Sequence, residues 1–212
     1  MRLVSRFSLT LVSGKTTLAK FITDSLNEHS RTLKPSQPPP AAFLPMDGFH
    51  LSRAELDNLP DPETAHARRG AAYTFNPTKF LKLLRSLRSS PSTAIQAPSF
   101  DHAVKDPRED DIEILPSHRI VVVEGLYLTL DEDVWRDAAS VFDEVWFVEV
   151  EREVARRRLR ERHLRAGIVT TLEEGDKRAV ENDLVNGDEI LAKKVRVDET
   201  VYSREDESWV HE

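Results

Sequence analysis

Ser13-Gly14-Lys15-Thr16-Thr17 lies between an apolar run, Arg6–Val12, and a segment in which Leu18, Phe21, Ile22 and Leu26 recur at i, i+3, i+4 and i+8. The run reads as a strand and the spacing as one face of a helix. A Gly-Lys-Thr turn leading from a strand into a helix suits phosphate binding. Backbone N–H groups at the helix N-terminus point at phosphate oxygens, and the helix dipole favours the anion. Lys15 would reach the outer phosphates and the Thr16 hydroxyl would bind Mg2+, with Ser13, Gly14 and Thr17 completing the cradle. The pattern G-x-x-x-x-G-K-[ST] is only half met. Counting back from Gly14 puts Leu9 at the first glycine, and Thr10, Leu11 and Val12 fill the loop. Bulky and β-branched residues suit neither positive φ nor close backbone approach. Weak nucleotide binding, a degenerate enzyme and a coding sequence missing a few residues all stay open.

Outward from this turn, further strand-like runs fall at Ala42–Met46, Ile120–Glu124, Glu144–Val150 and Val195–Val201. Helical spacing separates them: Phe80, Leu83, Leu84 and Leu87 repeat it, and Asn76-Pro77 supplies an N-cap and a first-turn proline. Strands alternating with helices predict an α/β fold with a five-stranded, mostly parallel sheet flanked by helices. Ile120-Val121-Val122-Val123 is apolar at every position, as a strand buried on both faces requires. Arg31–Ala42, with four prolines, and Ser89–Pro98 read as loops.

In such sheets ligands bind beyond the carboxyl ends of the strands. Asp47, closing Phe43-Leu44-Pro45-Met46, is therefore placed to deprotonate an acceptor hydroxyl or to bind Mg2+. A turn or helix cap is the bland alternative for a lone Asp there. Arg68 and Arg69 suit a carboxylate, phosphate or polyol, or else form a solvated pair beside Asp61 and Glu63.

Ser13-Gly14-Lys15-Thr16, Met46-Asp47-Gly48-Phe49-His50, Arg68-Arg69-Gly70 with Tyr73-Thr74-Phe75-Asn76, and Val123-Glu124-Gly125 occur in that order. Together they resemble the phosphoribulokinase/uridine kinase group of P-loop kinases, nearest its pantothenate kinase-like and fructose kinase-like branches, from about Phe7 to Tyr202. The resemblance implies a P-loop NTPase fold, one kinase domain over 1–212 with a small Arg-rich lid near 156–180, ATP and Mg2+ as cofactors, and as acceptor the alcohol of a small metabolite, with pantothenate-, nucleoside- and sugar-like compounds all open. It matches Asp47 to the family's base or metal partner and Glu124 to the acid ending the second nucleotide-binding strand, a further Mg2+ ligand. Phe100-Asp101-His102 is similar to a Tyr-Asp-His segment of the acceptor pocket, with Phe100 lacking the hydroxyl. His50 and Arg69 are implied acceptor contacts, with a polar loop residue the alternative for His50. Asn182, within Asn182-Asp183-Leu184-Val185-Asn186, is an implied acceptor or nucleotide contact or else a helix C-terminal cap.

Glu151–Arg165 holds seven arginines, and Arg158, Arg162 and Arg165 share a helical face. By the resemblance these are lid arginines that neutralise charge on the moving phosphoryl group. No aromatics interleave with them as in a nucleic-acid surface, and a net charge of −7 argues the same way. The absence of cysteine excludes disulfides, thiolate metal sites and a Cys nucleophile. No stretch approaches the roughly 20 apolar residues of a membrane span. Met1–Val12 carries two arginines, serines and no acid, faintly like a presequence, but its removal would take the first strand with it. The expectation is a cytoplasmic kinase without nucleic-acid or membrane partners, homodimerisation being left open. The rival expectation is a catalytically impaired nucleotide-binding protein or a plain NTPase of the same descent.

Overall fold

A computed structural model describes residues 3–9, as backbone, and 14–204. The chain runs β1 (Leu3–Leu9), α1 (Lys15–Leu33), β2 (Ala41–Pro45), α2 (Arg53–Asp57), α3 (Pro62–Ala67), α4 (Pro77–Ser89), β3 (Ile95–Asp101) and β4 (Asp106–Ile114). It continues with β5 (Ile120–Gly125), α5 (Asp133–Ser140), β6 (Glu144–Glu149), α6 (Arg152–Arg165), α7 (Leu172–Arg178), α8 (Leu184–Ala192) and β7 (Glu199–Tyr202). Short 3-10 turns cover Met46–Phe49 and Ala72–Thr74, and a π-helical turn, Ala179–Asp183, joins α7 to α8. The main sheet has the order β2-β5-β1-β6-β7, and every neighbouring pair is parallel. This is the five-stranded α/β architecture that the alternating strands and helices predict.

β5 shows why its sequence is apolar throughout. Val121 and Val123 join Leu44, Phe80, Leu84 and Phe147 in the larger core, whereas Val122 packs with Ala19 of α1 and Val148 on the opposite face. Successive side chains alternate sides, so a strand covered on both faces has no polar position to spare. In α4, Asn76 accepts from the Lys79 N–H at 2.9 Å and Pro77 opens the first turn. Phe80, Leu84 and Leu87 are fully buried, each worth about 1.5–3 kcal/mol. On α1 the buried stripe is Ala19 and Thr23, with Leu18 and Ile22 flanking it. Phe21 is exposed, one residue off that stripe.

Three boundaries differ from the sequence pattern. β1 begins at Leu3, and Thr10–Val12 lie outside the described residues. The last strand is Glu199–Tyr202, because the Val195 N–H bonds the Thr129 carbonyl instead of a ladder partner. The supposed Ser89–Pro98 loop ends in β3, which forms an antiparallel hairpin with β4, Ile95 facing Ile114. Ala97, Pro98 and Ile114 are the buried residues of this hairpin, too few to imprint a strand pattern on Asp-Pro-Arg-Glu-Asp-Asp-Ile-Glu-Ile.

Candidate active site

Gly14 has φ 80°, a left-handed conformation that glycine adopts without strain, and its carbonyl accepts the Leu18 N–H at 2.9 Å to start α1. No acidic residue occupies the first turn of α1, so its positive end is left for an external anion. Ser13 lies outside the described residues. Leu9, at the position of the missing glycine, is the last residue of β1 and pairs with Val148.

The turn meets Glu124, at the carboxyl end of β5. Thr16 Oγ1 donates to Glu124 Oε2 at 3.0 Å, and Lys15 Nζ lies 3.4 Å from Oε1. Glu124 is 4% exposed. Burial is the main influence on its carboxyl and raises its pKa; Lys15 opposes this, and the Asp47 carboxylate reinforces it. A hydroxyl and a carboxylate are the hard oxygen donors that Mg2+ takes. Among the described residues no group of three or more His, Cys, Asp or Glu forms a protein-only metal cage. The donor set therefore suits Mg2+ completed by phosphates and water.

The 3-10 turn after β2 turns Asp47 into the same cleft, a cavity of about 390 Å3. Close packing fixes that turn: a Cβ on Gly48 would sit 2.2 Å from the Pro98 carbonyl oxygen, and one on Gly125 2.3 Å from the Met46 Cβ. His50 supports Asp47 from behind and does not line the cleft. Its Nδ1 donates to the Asp47 carbonyl at 2.8 Å, and its ring sits between Phe75 and Phe100, with centroids at 3.9 and 4.9 Å. Burial lowers its pKa, so the imidazole is held neutral. Phe100 and His102 line the cleft, together with Ser99. Asp101 turns away: it accepts from the Ala103 and Val104 N–H groups at 2.8 and 3.0 Å, shaping the β3–β4 turn, and these bonds lower its pKa.

α6 supplies the opposite wall, where Arg158, Arg162 and Arg165 line the cleft as their spacing requires. The helix is anchored from outside. Arg156 forms a forked pair with Asp176 at 2.7 and 2.6 Å, and His163 Nε2 meets Asp183 Oδ2 at 2.8 Å. Asn182 is buried in the π-helical turn and is not among the cleft residues.

The two loop arginines are not a solvated pair, since both guanidinium groups are bonded within the fold. Arg69 donates to the Leu51 carbonyl and to Asp106, both at 2.9 Å, and its guanidinium lies 5.5 Å from the Phe100 ring centre. Arg68 donates to the Glu181 carbonyl at 2.8 Å and to Asn186 Oδ1 at 2.9 Å, and Asn186 is buried. Arg68→Ala therefore strands a buried acceptor and is expected to cost about 2 kcal/mol, a fall of roughly 4–8 °C in Tm, without changing Mg-ATP affinity. Thermal melting with parallel nucleotide titration checks this; an unchanged Tm would show that the two bonds carry no stability.

Lys20 and Glu161 also line the cleft, although neither belongs to a motif. Lys20 stands four residues beyond Thr16 on the same helical face, the one sequence signal that points to it.

No family model matches the chain. It is 46% identical over 159 residues to ATP-dependent kinase-like protein notR' of Aspergillus versicolor, covering 74% of this chain and 92% of that protein. A protein of Schizosaccharomyces pombe, provisionally named uridine kinase C227.14, is 41% identical over 176 residues, 82% of this chain and 72% of its own. Among solved structures, YFH7 of Saccharomyces cerevisiae, provisionally described as a P-loop containing kinase with a circular permutation, matches with a TM-score of 0.86 at 27% identity, covering 97% of this chain and 93% of that one.

Proposed function

The chain belongs to the phosphoribulokinase/uridine kinase group of P-loop kinases, and from that premise we propose that it transfers the γ-phosphate of ATP to an alcohol group of a small metabolite. The observation that carries this reading is the convergence on one buried carboxylate. Lys15 and Thr16 both engage Glu124, with Asp47 and three α6 arginines lining the same cleft.

In this reading the N-terminus of α1 and Lys15 hold the phosphates. Thr16 and Glu124 would hold Mg2+, which would supply positive charge to offset that of the phosphates. Asp47 takes the acceptor's hydroxyl proton as the new O–P bond forms and the bond to the β-phosphate oxygen breaks. Arg158, Arg162 and Arg165 neutralise the charge that spreads over the transferring group, and the segment 156–180 acts as a lid that keeps water from competing.

Mg-ATP calorimetry on the wild type and on Lys15→Ala, followed by ADP release with an alcohol panel, tests the proposal. Micromolar binding lost in Lys15→Ala, with ADP release stimulated by an alcohol, supports it. Leu9 at the end of β1 favours the impaired reading. No binding by a folded protein supports that reading. Hydrolysis indifferent to every alcohol supports a plain NTPase.

A further inference from the structure

Resting on the kinase reading above, we propose that Lys20 selects the acceptor by charge. Its ammonium holds a carboxylate or phosphate carried by the alcohol whose hydroxyl faces Asp47. Lys20 follows Thr16 by one helical turn, so both side chains leave α1 on one face. Side chains on a helix lean toward its N-terminus, which carries the ammonium up toward the cleft. There Lys20 lines the same cleft as Phe43, Pro45 and Asp47 from the end of β2.

Three observations make this cation a recognition element. The arginines that charge alone would nominate are committed elsewhere: Arg68 to Glu181 and Asn186, and Arg69 to Leu51 and Asp106. Among the described residues Lys20 has no ion pair or hydrogen bond, although Asp47, Glu124 and Glu161 line the same cleft. Those carboxylates would repel an anionic acceptor unless a cation also lined the cleft, and the kinase reading assigns the α6 arginines to the phosphoryl group. A neutral acceptor would leave Lys20 with nothing to bind beside the apolar surfaces of Phe43, Pro45 and Phe100. A lysine is a compact point charge on a flexible stem, so it accepts either anion where an arginine fork would choose by shape.

The test uses matched pairs that differ only in the anionic group: glycerate against glycerol, pantothenate against panthenol, and fructose 6-phosphate against fructose. Each is titrated calorimetrically into the full chain saturated with Mg2+ and a non-hydrolysable ATP analogue, for the wild type and for Lys20→Met. The expected result is that in at least one pair the charged member binds tenfold or more tightly than its neutral partner, and that Lys20→Met erases this preference while nucleotide affinity stays within twofold. The pair that responds distinguishes carboxylate from phosphate. Equal binding within every pair, or a preference that survives in Lys20→Met, overturns the proposal. ADP release is scored separately. Lys20-dependent anion binding without transfer would remove the kinase reading and leave the recognition role standing.

Discussion

Asp47→Asn is expected to lower kcat for phosphoryl transfer by roughly a thousandfold while Mg-ATP still binds. The amide keeps the size and polarity of the side chain but cannot take the acceptor's proton. The turn that carries it is fixed independently by Gly48 against Pro98 and by the His50 imidazole on the Asp47 carbonyl, and both survive the substitution. Single-turnover assays alongside nucleotide titration separate the two effects. Transfer at the wild-type rate would remove Asp47 from the role of base. Loss of nucleotide binding with intact chemistry at saturating ATP would instead make it a metal-side residue, which its carboxylate also suits beside Glu124.

The second large effect is expected in the scaffold. Gly48→Ala would bring its Cβ to 2.2 Å from the Pro98 carbonyl oxygen and 2.6 Å from the Pro98 carbonyl carbon. Both are backbone atoms of β3, so no rotamer change relieves the contact; the hairpin must move away from the Met46–Phe49 turn. Overpacking of this kind costs about 3 kcal/mol, at the upper end of its usual range, and a fall of about 6–12 °C in Tm for a chain of this size. Activity should fall further than stability alone predicts, because Ser99 and Phe100 follow Pro98 directly and line the cleft. A melt within 2 °C of wild type would mean the hairpin yields freely and does not hold Asp47 in place.

The sheet and the strand-end acids were legible because one physical rule governs both. A strand covered on two faces must be apolar until it reaches the ligand edge, so the first acid after Val121-Val122-Val123 marks that edge. α4 was legible from Asn76-Pro77, whose cap is purely local. The β3–β4 hairpin was not, because it buries too little to impose alternation on an acidic segment. The fate of Arg68 and Arg69 was hidden for another reason. Their partners Asn186 and Asp106 lie 118 and 37 residues away, and no local pattern records such pairings. Asp101 read as a pocket residue through the likeness of Phe100-Asp101-His102 to a pocket segment; Phe100 and His102 do line the cleft, whereas the Asp101 carboxylate closes a turn. The α6 arginines stand as their spacing requires, since i+4 and i+3 steps fix a helical face whatever the helix packs against.

The Thr16–Glu124 bond spans 108 residues. A site clasped across so much intervening chain has no local precursor. The apolar core can gather and α1 can coil early, but the pocket exists only once β1 and β5 have docked in register, against the entropy of closing that long segment. Nucleotide binding is thus a readout of long-range topology and not of local structure. In refolding experiments it should return after helical signal, and a nick anywhere between α1 and β5 that lets the two halves part should extinguish it while much of the secondary structure persists.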